Sequence, residues 1–92
     1  MKLLPATFTK QGFDHALIQR EGNVAIYQRN RTGSARTHFE VVRIGHHNGF
    51  TLAGVVIPPA ETYPSAEQWG TKGWTCDTLG RANSKMIELI PA

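Results

Sequence analysis

Residues 14–29, DHALIQREGNVAIYQR, contain the clearest signal for a β-hairpin in the chain. Two segments rich in β-forming residues flank Gly22-Asn23, one of the dipeptides typical of a two-residue hairpin turn. Pairing across this turn places Ile18 opposite Tyr27. Three apolar side chains then share the other face, which is the predicted core side: Leu17, Val24 and Ile26. The stretch therefore predicts the first two strands of an antiparallel sheet.

A second hairpin is expected further along the chain. Residues 37–45 are rich in β-formers and predict a third strand. Asn48-Gly49 is a strong hairpin signal because both residues tolerate positive φ, so residues 50–57 are expected to return as a fourth strand, with a bulged turn as the alternative. The register pairs β-branched residues on both faces: Val41 with Val56, and Val42 with Val55.

An irregular stretch separates this hairpin from the C-terminal elements. Pro58 and Pro59 end the fourth strand because proline lacks the N–H that a ladder requires. Residues 60–73 contain two aromatic residues and two glycines, a composition that indicates an ordered loop folded back onto the domain. Residues 74–76 predict a short final strand.

The C-terminus predicts a single helix. Asp77 or Thr78 can cap it, and it is expected to run to about Leu89 and to be stopped by Pro91. Its apolar residues form one stripe: Leu79, Ala82, Met86 and Leu89. The expected fold class is α+β, with a single twisted antiparallel sheet of four to five strands in two hairpins and one C-terminal helix packed on one face.

Length and composition place the chain among small intracellular domains. At 92 residues it is expected to form one domain, residues 1–92. The single cysteine, Cys76, cannot form an internal disulfide, and the N-terminus lacks a complete export signal, so a soluble, cytoplasmic protein is expected. No apolar run approaches the roughly 20 residues of a membrane span. The formal net charge of +3 is compatible with a polyanionic partner or with solubility alone.

A basic cluster is the first candidate binding site. Arg29, Arg31, Arg36 and His38 lie within ten residues, and no acid intervenes between Glu21 and Glu40. The planar guanidinium group suits phosphate or carboxylate, so the cluster predicts contact with nucleic acid or with an acidic protein. The alternative is a solvated hairpin loop whose charges keep sheet edges from pairing.

Aromatic residues on irregular segments are the second candidate. Tyr63, Trp69 and Trp74 are residue types that are overrepresented at interface hot spots and as stacking platforms for bases. The alternative is that they plug the sheet, which is the expectation for Trp74 because it lies in a predicted strand. Tyr63 and Trp69 therefore join the predicted partner-binding residues.

Catalytic and metal sites are weakly indicated. His46 and His47 are adjacent on a strand end and point in opposite directions, without a second group of ligands at metal-binding spacing. Cys76 could act as a nucleophile only with a histidine such as His15 or His38 nearby, and a lone cysteine is more often a small buried hydrophobe. We therefore expect no catalysis, no metal and no cofactor.

Three segments carry a resemblance to small proteins of tailed phages and prophages: Glu61-Thr62-Tyr63-Pro64-Ser65, Gln68-Trp69-Gly70 and Gly73-Trp74-Thr75. Together with residues 39–44 the resemblance covers about the last two thirds of the chain. It implies a phage-type origin and carries over no catalytic residue. Such proteins often bind a host component, so a binding role in the host cytoplasm, including inhibition of a defence system, is the leading expectation.

The remaining expectations concern partners. A host protein or protein complex is expected first, nucleic acid is the alternative, and a homodimer could form through a sheet face or edge. Since one helix covers only one face of a sheet, the other face must be covered by the loop of residues 60–73 that contains Tyr63 and Trp69, which we call the aromatic loop, by a second copy or by the partner.

Overall fold

The computed structural model describes residues 1–90 and has the α+β architecture expected from the sequence. Within these residues nine strands and one 3-10 helix precede one α-helix: β1 (Thr7–Lys10), β2 (Phe13–Glu21), β3 (Val24–Arg31), β4 (Thr37–Arg43), β5 (Gly45–His47), β6 (Phe50–Leu52), β7 (Val55–Ile57), β8 (Ala60–Thr62), the 3-10 helix (Ala66–Gln68), β9 (Gly73–Cys76) and α1 (Leu79–Leu89). Five of these strands form the main antiparallel sheet in the order β1-β2-β3-β4-β9. The fold class is therefore confirmed.

The hairpin of β2 and β3 forms as predicted at its turn but not along its length. Glu21 pairs with Val24 across Gly22-Asn23. A β-bulge at Ile18 then shifts the register, so that Leu17 rather than Ile18 lies opposite Tyr27. The predicted pairing of Ile18 with Tyr27 is wrong, and Leu17 lies on the Tyr27 face rather than with the predicted core residues.

The helix covers the face of the sheet that contains Val24 and Ile26. These two residues, with Val41 of β4, pack against Ala82 and Met86 of α1. The hydroxyl of Thr78 accepts a hydrogen bond from the Arg81 N–H and caps the helix, as predicted. The helix ends at Leu89, and Pro91 lies outside the described residues.

The opposite face of the sheet is covered by the N-terminal segment and by the aromatic loop. Four buried residues form its centre: Ala25, Tyr27, Val42 and Ile44. Leu4 and Phe8 pack on them from the N-terminal side, and Tyr63 and Trp69 pack from the loop. The aromatic loop, which was predicted to be ordered, therefore covers much of this face of the sheet.

Residues 45–62 leave the sheet as a β-ribbon, which we call the arm. Strand β5 pairs with β8, and β6 pairs with β7. The turn lies at Ala53-Gly54 rather than at Asn48-Gly49, so residues 50–57 form a small hairpin of their own instead of a fourth strand of the sheet.

The predicted pairing of Val41 with Val56 and of Val42 with Val55 is consequently wrong. Val41 and Val42 lie between β3 and β9 and are fully buried, whereas Val55 and Val56 are exposed on the arm. The place expected for the fourth strand is occupied by β9, and β1 adds the fifth strand at the far edge of the sheet.

Candidate binding groove

The face opposite the helix carries two adjoining cavities. The first, of about 230 Å³, is lined by β1, β2, β3, β4 and the aromatic loop: Lys10, Gln11, Phe13, His15, Arg29, Glu40, Tyr63, Ala66 and Trp69. The second, of about 320 Å³, is lined by Phe13, Arg29, Arg31, Ser34, Arg36 and His38. Phe13 and Arg29 line both cavities. The two cavities together therefore form one continuous surface, which we call the groove.

The groove contains all six residues that the sequence indicated as partner-binding: Arg29, Arg31, Arg36, His38, Tyr63 and Trp69. Strand alternation explains half of this set. Arg29 and Arg31 are two residues apart on β3, and His38 lies opposite Arg29 on β4, so all three share one face. The aromatic residues reach the same face because the loop that contains them folds back over the sheet.

A buried carboxylate lines the first cavity of the groove. Glu40 is 4% exposed, and His15 is 5% exposed beside it. The Tyr63 hydroxyl donates to Glu40 Oε1, from which the His15 Nε2 lies 3.2 Å away, and Arg29 Nη1 donates to Oε2 at 3.0 Å. The negative charge of Glu40 is therefore compensated from within the chain, as a buried charge requires.

Tyr63 is held as a hydrogen-bond donor. Burial raises the pKa of its phenol far above the ordinary value, and the hydrogen bond to Glu40 raises it further. Its ring packs edge-on against Phe8 and Tyr27, with centroid distances of 5.2 Å and 5.5 Å. Tyr63 thus anchors the aromatic loop to the sheet rather than standing free.

The arginines of the cluster differ in their environment. Arg29 is committed within the chain, because it pairs with Glu40 and its guanidinium lies 4.6 Å from the centroid of the Phe13 ring. Arg31 and Arg36 are exposed and line the second cavity of the groove. The Ser34 hydroxyl accepts a hydrogen bond from the Arg36 N–H at 3.1 Å and shapes the loop that presents them.

The two tryptophans are on different sides of the sheet. Trp69 lines the groove, where its indole N–H donates to Thr75 Oγ1 at 3.0 Å and its ring packs on Gly73. A Cβ at Gly73 would lie 2.5 Å from the Trp69 ring, so only glycine fits there. Trp74 lies beneath Lys85 of the helix, whose Nζ is 4.5 Å from the ring centroid, and takes no part in the groove.

The structure does not bring together the candidate catalytic groups or the candidate metal ligands. Cys76 packs in the cluster under the helix, whereas His15 and His38 face the groove on the other side of the sheet. Burial raises the pKa of the Cys76 thiol, and nearby Asp77 raises it further. His47 Nδ1 accepts from the Gly49 N–H, and among residues 1–90 no group of three His, Cys, Asp or Glu is placed to hold a metal ion.

Seven lining residues of the groove were not among the predicted partner-binding residues: Lys10, Gln11, Phe13, His15, Ser34, Glu40 and Ala66. The position of Glu40, two residues beyond His38 on the same strand, was an available signal for a shared face. Lys10 and Phe13 could not be inferred because strand β1 and its turn to β2 were not recognised.

Neither protein-family models, nor curated proteins, nor solved structures match this chain. Within the described residues, no helix combines the length and the apolar character needed to span a membrane.

Proposed function

We propose that the chain is a small phage-type accessory protein that binds a host protein through the groove and inhibits it by occlusion. The surface recognised would be an acidic segment of the partner. The observation that carries this proposal is the arrangement of charge: the exposed cations of the groove face solvent, while its one lining carboxylate is compensated inside.

The positive charge of the second cavity favours an acidic ligand. Arg31 and Arg36 line the second cavity together with His38, and neither arginine has an acidic side chain among the other lining residues. Lys10 adds a cation at the aromatic end, 5.5 Å from the centroid of the Tyr63 ring. A carboxylate that enters the groove would meet guanidinium donors in a geometry suited to bidentate hydrogen bonds.

The shape and rigidity of the groove favour a protein ligand. Tyr63 and Trp69 are pinned by hydrogen bonds to Glu40 and Thr75, so they would bind without a large loss of side-chain entropy. Rigid aromatic anchors beside arginines are the composition of protein interface hot spots. The proposed inhibition requires only that the bound chain cover a working surface of the host protein.

A capture experiment with charge-matched variants tests this proposal. Tagged wild-type protein should retain a stoichiometric partner from host lysate, and Arg31→Ala with Arg36→Ala should reduce that retention at least tenfold. Arg43→Ala with Lys72→Ala removes the same charge at the other end of the strands, where both residues line a different cavity, and should retain the partner. Equal retention by both double variants, or no partner at all, would refute the proposal.

Nucleic acid is the second candidate because exposed arginines beside aromatic rings also suit phosphates and bases. The rings argue against it, since Trp69 packs on Gly73 and Tyr63 is enclosed by Phe8 and Tyr27. Binding of single- and double-stranded probes should then be absent or weak. If it is tight and steeply salt-dependent, and if Arg31→Ala with Arg36→Ala lowers the salt slope by about 2, the nucleic-acid function replaces the protein-binding one.

A further inference from the structure

The tip of the arm is apolar and uncharged. Phe50 is 50% exposed, Leu52 65%, Val55 58% and Val56 75%. Residues 44–60 contain none of the 17 Lys, Arg, Asp and Glu residues of the chain. An exposed β-ribbon without charges lacks the usual protection against pairing with another strand. A two-stranded ribbon is also marginal in water unless a further strand or an apolar surface supports it.

The register of the arm determines which backbone groups point outward. Ala53 and Gly54 both have positive φ, which is the two-residue type I′ turn, and Leu52 pairs with Val55 beside it. In an antiparallel ribbon with this turn, the flanking pair exchanges hydrogen bonds, and the next pair points its N–H and C=O groups away. These outward-pointing residues are Thr51 on β6 and Val56 on β7.

The β6 edge of the arm is better suited to pairing with another strand than the β7 and β8 edge. On the β7 and β8 side, Pro58 and Pro59 lack N–H groups. The N-terminal segment also occupies the β8 part of this edge, where the Lys2 N–H donates to Pro59 O at 3.1 Å and the Glu61 N–H donates to Lys2 O at 2.8 Å. On the β6 side, within residues 1–90, Thr51 pairs with β7 alone, so its outward-pointing N–H and C=O groups face no other strand. Strand β6 is therefore the edge that neither a proline nor a neighbouring segment interrupts.

We propose that the arm is a self-association surface, in which strand β6 pairs antiparallel with β6 of a second copy about a two-fold axis at Thr51. The N–H and C=O groups of Thr51 would bond those of Thr51 of the partner subunit. Phe50 would then lie opposite Leu52 of the partner subunit on one face, an aromatic–aliphatic cross-strand pair. The two ribbons become a four-stranded sheet with a continuous apolar face.

Two features select a second copy as the occupant. An antiparallel strand edge is complementary to itself about a two-fold axis, so no other sequence is needed to complete the ladder. The chain has a net charge of +3, and the uncharged tip of its arm lets two copies meet without bringing cations together at the contact. The proposed ladder uses the three residues of β6 from each copy, far fewer than the roughly 20–30 residues a side of a standard interface, so a weak dimer with a Kd on the order of 100 µM is expected.

Sedimentation velocity of the full chain tests this interface. Wild-type protein should pass from monomer to dimer as its concentration rises to about ten times the expected Kd of order 100 µM. Thr51→Lys places two ammonium groups across the axis and should weaken association at least tenfold at low salt, with partial recovery at high salt. Val56→Lys introduces the same charge on the same face of the arm, one strand away from the axis, and should associate like wild type.

The proposal is overturned if the wild type stays monomeric at this concentration, or if Thr51→Lys dimerises normally, or if both lysine variants lose association equally. Cross-linking provides a second measurement should Thr51→Lys fail to fold. Thr51→Cys in a Cys76→Ser background should form an intermolecular disulfide on oxidation, because residues in a hydrogen-bonded pair have Cα atoms about 5.5 Å apart. Val56→Cys in the same background should remain mostly monomeric, and equal cross-linking of the two would contradict the assigned edge.

Discussion

Glu40 is the residue on which the geometry of the groove depends. It accepts from Tyr63 and Arg29 and lies beside His15, so three elements of the chain meet at one buried carboxylate. A buried charge is stable only while its partners remain, and removing one leaves the others uncompensated. The groove is therefore sensitive to single substitutions at positions that contact no partner.

Glu40→Ala should lower the free energy of unfolding by about 3 kcal/mol, because it leaves the Arg29 guanidinium beside an empty site. Tyr63→Phe removes one hydrogen bond to the same carboxylate and should cost about 1–2 kcal/mol. Urea denaturation measures both changes. In the double variant the two losses should not add, since Tyr63 has no carboxylate to bond once Glu40 is gone; strict additivity would contradict the network.

A second ion pair predicts a pH dependence. Arg20 Nη1 and Nη2 donate to the two oxygens of Glu61 at 2.7 Å and 2.6 Å, and the hydrogen bond to Arg20 lowers the pKa of Glu61 to about 2. Because the folded-state pKa is depressed from 4.5, the stabilisation is fully present above that value and is lost as pH falls through about 2. After allowance for solvent screening, it amounts to about 1–2 kcal/mol.

The comparison of wild type with Arg20→Met measures this effect. The difference in free energy of unfolding should be constant from pH 7 to pH 5 and should shrink as the pH falls from about 4.5 towards 2. Gln68→Met, which alters an exposed side chain of the aromatic loop, serves as a control and should show no such convergence. A difference between wild type and Arg20→Met that is independent of pH would contradict the pairing.

At the scale of elements, the predictions succeeded where local signals agree with the fold. The hairpin turn at Gly22-Asn23, the final strand and the capped helix follow from turn chemistry and helical periodicity. The arm was missed because its turn uses Ala53, a residue without a preference for positive φ, and because Val55 and Val56 have the composition of a core strand although they are exposed. The bulge at Ile18 has no signature in the local sequence.

The turn of the arm therefore contains strain that a substitution can relieve. Ala53 has a φ of 50°, a conformation that asparagine tolerates better than alanine, and Asn-Gly is the preferred type I′ dipeptide. Ala53→Asn should raise the free energy of unfolding by about 0.5–1 kcal/mol in thermal or urea denaturation.

Gln11 has the same conformation, with a φ of 52° before Gly12, so Gln11→Asn should stabilise the turn between β1 and β2 similarly. Destabilisation by both variants would contradict the assigned turn type.

Across the whole molecule, the groove and the tip of the arm are two surfaces of different chemical character. The groove gathers exposed cations on the face opposite the helix, and the arm presents an uncharged apolar tip. The six predicted partner-binding residues were chosen by residue type and by their expected place on loops, whereas strand alternation in β3 and β4 and the folded-back aromatic loop bring them to one face. The compensation of Glu40 depends on the register between β2, β3 and β4 and was not predictable from local sequence.

Binding of a partner in the groove can be tested by mapping the contact surface on this chain. Once a partner has been captured, it is titrated into isotopically labelled protein while backbone amide resonances are followed by NMR. Binding in the groove predicts that the largest shifts cluster at residues 10–15, 29–38 and 63–69, with residues 79–89 of the helix unchanged. Shifts centred on the helix or on the arm, with the groove residues unmoved, would contradict it.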